Sequence, residues 1–248
     1  MNINYQYFLF YIKNLPKSEG LKVLDFGCGN GEIVELLRDN GINSYGVDIY
    51  FQGIPDSLKD NKLFKSGYIK AIYDKDALPF PEKYFDVIIS NQVFEHVKDL
   101  DSLIESLDKI LNDNGIMYHH FPIMEVWREN HTGIPFLHWF KSGSKFRYNY
   151  SLILRSFGMG FHKDQWNTKR GWVDHKLDYL DKLCFYRKHS RIKEICNGYN
   201  IVTNEIKYIK FRWGNKPLVK LILKLHVFHS LYIYLFRRLA FICLELKK

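Results

Sequence analysis

Three glycines alternate in Gly27-Cys28-Gly29-Asn30-Gly31, directly after the apolar run Val23-Leu24-Asp25-Phe26. Glycine there lets the backbone take dihedrals closed to other residues and pass close to a ligand, although an ordinary tight turn uses the same residues. A dinucleotide site needs Gly-x-Gly-x-x-Gly, and here the third glycine comes one residue early. A phosphate loop needs a Gly-Lys-Ser/Thr ending, which this turn lacks. Asp25 precedes the turn, where a carboxylate can cap the next helix or hold the loop by its N–H groups. The second chemical resource is histidine, of which there are ten. Five fall where a substrate pocket is expected: His96, the neighbours His119 and His120, and His131 and His138. Imidazole titrates near neutrality and can take a proton from a reacting hydroxyl, but each of these rings could equally be a structural core group. His131 and His138 bracket an apolar segment that reads as a lid. Glu125, Arg128 and Glu129 stand just before it, able to orient a histidine or bind an anionic acceptor.

The elements that must position these groups follow from periodicity. Residues 1–20 read as an aromatic-bearing helix ending near Pro16 and Gly20. Leu21–Phe26 is a short buried strand, and Glu32–Asn40 is a helix with Ile33, Leu36 and Leu37 as its stripe. Ser44–Ile49 is a second strand, so the chain opens with a strand–turn–helix–strand unit whose ligand site lies at the first turn. A third strand is expected near Tyr68–Tyr73, a fourth at Asp86–Ser90, a helix over Leu100–Leu111 and a fifth strand at Ile116–Phe121. This alternation predicts an α/β fold with a doubly wound, mostly parallel, Rossmann-like sheet of seven strands. The C-terminal ends of such strands face the ligand crevice. His96 and one of the His119/His120 pair should therefore lie near the site, since neighbours on a strand point to opposite faces. From 122 to 186 the alternation lapses, and the stretch holds Trp127, Trp139, Trp166 and Trp172. It is too long for a plain loop and is expected to be a helical cap insertion. Arg187–Asn197 reads as a helix and Ile201–Phe211 as one or two late strands.

The chain has 248 residues, 46% of them apolar, and aromatics reach 17%. That suits one α/β domain over 1–214 with a separate tail, and the aromatic excess fits either a pocket or a rich core. Net charge is +9, but the segment from Asn215 holds seven basic residues and one acid, or +6 of it. The remainder is only mildly basic, which argues against a nucleic-acid partner. In the tail, 215–248, apolar residues run at alternating spacings of three and four from Leu218 to Leu246, a helical seam. The longest uncharged run there, 12 residues from Leu225 to Phe236, is too short to span a bilayer. An amphipathic helical tail is expected, packing on its own domain or a second subunit, or lying on an anionic membrane surface. The four cysteines, Cys28, Cys184, Cys196 and Cys243, show no metal-site spacing, and no signal peptide is evident. Reduced thiols and a cytoplasmic location, peripheral on the inner membrane face if the tail binds lipid, are the expectation.

The turn with its Asp25 resembles motif I of class I S-adenosylmethionine (SAM)-dependent methyltransferases, Asp/Glu-x-Gly-x-Gly-x-Gly. The likeness continues through Asp48 at the end of the second strand, Asp76-Ala77-Leu78-Pro79-Phe80, Phe85-Asp86-Val87-Ile88, Glu95-His96-Val97 and Asn114-Gly115-Ile116. Together, over about 20–122, these resemble the UbiE/UbiG-like branch, and the insertion resembles that of enzymes from bacterial surface-polysaccharide clusters. The resemblance implies SAM as cofactor, held by Asp25, Gly27, Cys28, Gly29, Gly31, Asp48, Ile49, Asp76, Ala77, Leu78, Asn91, Gln92 and His96. Asp25 would help fix the loop and the methionine amino group. Asp48 would accept both ribose hydroxyls, a strong and geometry-selective contact. The segment at Asp76 would line the adenine. His131, His138, His96 and His120 are the candidate catalytic groups. Related O-methyltransferases carry Glu-x-x-Glu-His, similar to a divalent-metal site; here Gln92 replaces the first Glu, a poorer hard-cation ligand, so no metal is expected. The expected reaction is methylation of an oxygen on a small-molecule or glycan-linked acceptor, as in capsule or lipopolysaccharide synthesis. The alternatives are a quinone or other lipid acceptor, or a non-catalytic scaffold of this fold at the membrane.

Overall fold

The computed structural model describes residues 2–16, 18–50, 53–72 and 78–248. In chain order its elements are α1 (Ile3–Lys13), β1 (Lys22–Phe26), α2 (Glu32–Asp39), β2 (Asn43–Asp48), the single turns α3 (Asp56–Lys59) and α4 (Lys62–Lys65), and β3 (Ile69–Ala71). There follow β4 (Phe85–Asn91), α5 (Leu100–Ile110), β5 (Leu111–Phe121), α6 (Lys145–Ser156), α7 (Lys169–Leu183), α8 (His189–Ile195) and β6 (Asn200–Thr203). The chain closes with α9 (Glu205–Trp213), α10 (Pro217–Lys224), α11 (His229–Leu239) and β7 (Ile242–Lys247). The strands form one seven-stranded sheet in the order β3-β2-β1-β4-β5-β7-β6. The strands β3 to β5 pair in parallel, and β7 runs antiparallel between β5 and β6. The doubly wound, mostly parallel sheet is as expected.

Both faces of the sheet are buried, and strand alternation decides what goes where. Leu24, Ile88, Met117 and Leu244 pack with Leu103 and Leu107 of α5 and Ile192 of α8. Val23, Val87, Ile89, Tyr118 and Cys243 face Tyr7 and Phe8 of α1, Ile33 and Leu37 of α2 and Tyr208 of α9. Helix starts are set by local capping. The side chains of Asp99, Ser144 and Thr168 accept from the third backbone N–H of α5, α6 and α7. Over 122–186 the cap insertion has its own core of Ile134, Leu137, Trp172, Val173 and Leu180, built on the α6–α7 pair.

Two expectations fail. Only Asn200–Thr203 of the stretch read as late strands is extended; Glu205–Trp213 is helical, with Tyr208 buried against Tyr7 at 5.0 Å between ring centroids. The helical seam also does not run to Leu246: it stops at Leu239, and Ile242–Lys247 is strand β7. Ile242 and Leu246 fit a three-four spacing and an alternation of two equally well. What separates the readings is Cys243 and Glu245 between them, also buried, as in a strand covered on both faces. Glu245 is buried there and accepts from Tyr11 Oη at 3.0 Å and from the Asn204 amide. The end of the tail thus completes the sheet, while α10 and α11 pack on α9, with Phe236 in the core and Arg237 paired to Glu205, and leave an apolar face exposed.

Candidate active site

The glycine turn joins β1 to α2 at the C-terminal edge of the sheet. Its glycines do different work. A Cβ on Gly27 would sit 2.3 Å from a Val93 methyl, and one on Gly31 would sit 2.0 Å from Ile69 Cδ1, so both are closed by the protein itself. Only Gly29, at φ +52°, opens onto free space. The turn borders two cavities that share Gly27. The smaller, about 250 Å³, is lined by Asp25, Cys28, Gly29 and Asn91 together with Tyr5 of α1. The larger, about 410 Å³, runs from Asp48, Ile49 and Ile72 past Val93 to His96, Leu183 and Phe185.

Asp25 is fully buried, and neither carboxylate oxygen has a partner among the described residues. Burial, with the nearby Asp48 charge adding to it, raises its pKa from 3.8 to about 8. An orphaned acid facing a cavity is what a cationic ligand group would satisfy. Asp48 Oδ2 accepts from Gly29 N at 2.8 Å, which ties the tip of the turn to the end of β2. Asn91 Oδ1 accepts from Asn4 Nδ2 at 3.0 Å, so α1 closes this end of the site. Gln92 sits at φ +59° with its N–H on His120 O, and its side-chain amide nitrogen is buried without a partner among the described residues. Leu78 is half-buried against the sheet core. Asp76 and Ala77 lie outside the described residues.

At the far end of the larger cavity the cap delivers a second constellation. His96, in a single 3-10 turn after β4, donates Nδ1–H to Leu183 O at 2.6 Å. Its Nε2 faces His131 Nε2 at 3.3 Å. His131 donates Nδ1–H to Glu129 Oε1 at 2.8 Å, and Tyr186 donates its hydroxyl to the same oxygen at 2.6 Å. Glu129 is fully buried; burial would raise its pKa, but the His131 contact and the Tyr186 hydroxyl prevail and bring it to about 2. Cys184, at the end of α7, lies 3.7 Å from His131 Nδ1. Burial lowers the pKa of His96.

The other histidines are elsewhere. His119 and His120 do point to opposite faces, but neither enters the cleft. Both are fully buried, with pKa values pushed down to about 3 by burial. His119 bonds Ser90 at 2.8 Å beneath Phe94, and His120 stacks among Tyr7, Phe8 and Phe241. His120 is therefore withdrawn as a catalytic candidate: its side chain belongs to the core on the α1 face. His138 is also turned away, donating Nε2–H to Met124 O at 3.1 Å beside Tyr186 in a separate cavity. Of the charged residues before the lid, Glu129 orients His131, whereas Glu125 accepts from His189 N and Arg128 donates to Gly133 O. Sequence reasoning missed Tyr5, Cys184 and Tyr186, which reach the site only through tertiary folding. Cys184 and Tyr186 follow the long helix that ends the cap, and nothing in their spacing marks them.

Residues 2–199 match the methyltransferase domain family. The chain belongs to that family. Among its relatives, a ubiquinone biosynthesis O-methyltransferase of Pelagibacter ubique is 34% identical over 116 residues, 44% of this chain and 45% of the relative. A malonyl-[acyl-carrier protein] O-methyltransferase of Enterobacter lignolyticus is 28% identical over 103 residues, 42% and 39% of the two chains. The chain spans less than half the length of these curated relatives. In structure, it aligns along its whole length with all of a SAM-dependent methyltransferase from Mesorhizobium loti, at TM-score 0.56 and 18% identity. The cofactor named for that neighbour is S-adenosylmethionine. The residues fit it: the orphaned Asp25 carboxyl suits the cationic amino end, the open Gly29 turn gives backbone approach, and Asp48 stands in the larger cavity beside apolar Ile49 and Ile72.

Proposed function

We propose that this methyltransferase transfers the SAM methyl group to a hydroxyl oxygen on a small acceptor with an apolar body. The observation that carries the reading is continuity. One cavity leads from Asp48 to His96, and Glu129 holds His131 behind His96. The sulfonium methyl is already activated when SAM is bound. The protein's task is then to align the acceptor and to take up the proton its hydroxyl loses, for which the His96–His131 pair stands at the end of the cavity; orientation of this kind is worth effective molarities on the order of 10⁵ M or more. Between the two ends the wall is Val93, Val97, Leu183 and Phe185, which suits an apolar acceptor better than a sugar. The relatives named as O-methyltransferases support oxygen as the target.

The same reading gives the exposed face of α10 and α11 a role. Leu218, Leu221, Leu225, Val227, Leu231 and Leu239 are exposed, with Lys216, Lys220 and Lys224 alongside. No single described helix is long and apolar enough to cross a membrane, and the two helices meet at 87°. Apolar side chains ringed by cations suit the headgroup boundary of an anionic leaflet, where an apolar acceptor would reside. The test is His131→Ala: SAM affinity should stay within about twofold, while turnover on hydroxylated apolar acceptors falls by roughly 10²-fold or more. Unchanged turnover would refute the placement of the acceptor.

A further inference from the structure

We propose that His96, His131 and Cys184 form a site for one divalent transition-metal ion of the zinc class. The ring tautomers lead to it. Leu183 O can only accept, so His96 carries its proton on Nδ1. Both Glu129 oxygens are met by donors, the backbone N–H groups of His131 and Thr132 and the Tyr186 hydroxyl, so the carboxylate accepts from His131 too and that ring carries its proton on Nδ1 as well. The two remaining Nε2 lone pairs are then aimed at each other across 3.3 Å. Two lone pairs that close repel unless a cation lies between them. With zinc–nitrogen bonds of about 2.05 Å, two nitrogens 3.3 Å apart subtend about 107° at the metal, close to the tetrahedral angle.

The third donor comes from a different part of the chain. One ligand atom from each of the three residues lies within 4.8 Å of the others, and Cys184 Sγ is 3.7 Å from His131 Nδ1 and 3.9 Å from His96 Nδ1. Sγ stands on the Nδ1 side of both rings, so an ion between the Nε2 atoms requires the Cys184 side chain to swing towards them, to the nitrogen–sulfur separation of about 3.6 Å found on one tetrahedral zinc. Metal-bound histidines characteristically donate their other N–H to a carboxylate or a backbone carbonyl, and here one ring does each. Two imidazoles and a thiolate select zinc, or cobalt as its probe, over magnesium or calcium. This donor set differs from a hard-cation carboxylate site, for which Gln92 is unsuited. Three protein ligands leave a tetrahedral ion one position short, the pattern of a catalytic site. His96 belongs to the cofactor cavity and Cys184 to the cavity beside it, so the ion would sit between them. That the acceptor's hydroxyl takes the fourth position rests on the methyl transfer proposed above; the ion site itself does not.

The test is cobalt titration of the full chain after chelator treatment. The expected result is uptake of one Co²⁺ with the intense visible bands of tetrahedral coordination and an ultraviolet cysteinate charge-transfer band, both lost on adding Zn²⁺. Cys184→Ser should remove the charge-transfer band, and Glu129→Gln should weaken uptake by roughly 10–100-fold. SAM binding, followed on the same samples by calorimetry, should persist in the metal-free wild type and in Cys184→Ser, which shows that both are folded. Absence of stoichiometric uptake, six-coordinate cobalt, or a charge-transfer band unchanged in Cys184→Ser would each overturn the site. In that case a shared proton joins the two rings, and methyl transfer that survives chelation would leave the proposed function intact.

Discussion

Replacing Asp25 with asparagine should stabilise the free protein while abolishing cofactor binding. Asp25 is wholly buried, and its oxygens have no partner among the described residues. Burial first, and the Asp48 charge second, raise its pKa from 3.8 to about 8. At pH 7 the unfolded chain holds this group ionised, whereas the folded chain must keep it protonated. The gap of about three pH units, at ~1.36 kcal/mol each, costs the fold about 4 kcal/mol. For a raised acid the sign is definite. The stability is intact below about pH 4 and is lost as pH rises towards 8. Asparagine is neutral throughout, so the advantage of Asp25→Asn should vanish at low pH and grow through this window. At about 2–4 °C per kcal/mol for a chain this long, the ceiling is a rise of about 8–16 °C at pH 7. Scanning calorimetry at pH 5 and pH 8, with and without SAM, reads both effects. The wild type should melt lower than Asp25→Asn without SAM and rise on adding it; the variant should not respond. A variant that melts below the wild type at pH 8, or keeps its full response to SAM, would refute the reasoning.

Three further outcomes follow. If the SAM amino group ionises Asp25 on binding, then below pH 8 complex formation releases up to one proton and affinity falls by up to about tenfold per pH unit; calorimetry in buffers of different ionisation enthalpy measures that proton, and none would be released if Asp25 stays neutral. Asp48→Ala should abolish the SAM-induced rise in melting temperature, and a retained rise would remove Asp48 from the cofactor site. Leu221→Glu with Leu225→Glu on α10 and at its end should release the protein from anionic liposomes in a flotation assay; a full-length chain that never floats with them would end the membrane reading.

The sheet was legible because its strands carry nearly continuous apolar runs and because the glycine turn follows the first of them. The three glycines of the turn are not equivalent. Gly27 is closed by Val93 and Gly31 is held by its left-handed φ of +82° against Ile69, contacts between distant segments, and only Gly29 is open towards a ligand. At the C-terminus, Ile242 and Leu246 satisfied two periodicities at once, and burial on both faces decided for the strand. The histidines divide on similar grounds. Alternation along β5 places His119 and His120 on opposite faces, but it does not say that both faces are closed by Phe94 and by α1. Glu129 lies two residues from His131, so its orienting role was within reach of the sequence. Cys184 and Tyr186 lie more than fifty residues further on and depend on how the cap folds back.

The most direct measurement is product analysis with SAM carrying a deuterated methyl group. The full chain is incubated with hydroxylated apolar acceptors and, in parallel, with their methyl-ether and amine analogues, and products are mapped by mass spectrometry and NMR. S-adenosylhomocysteine and labelled methyl ether should form in equal amounts from the free hydroxyl, and both should be lost in His131→Ala. Label on carbon or nitrogen, or equal turnover when the hydroxyl is blocked, would contradict transfer to the hydroxyl oxygen.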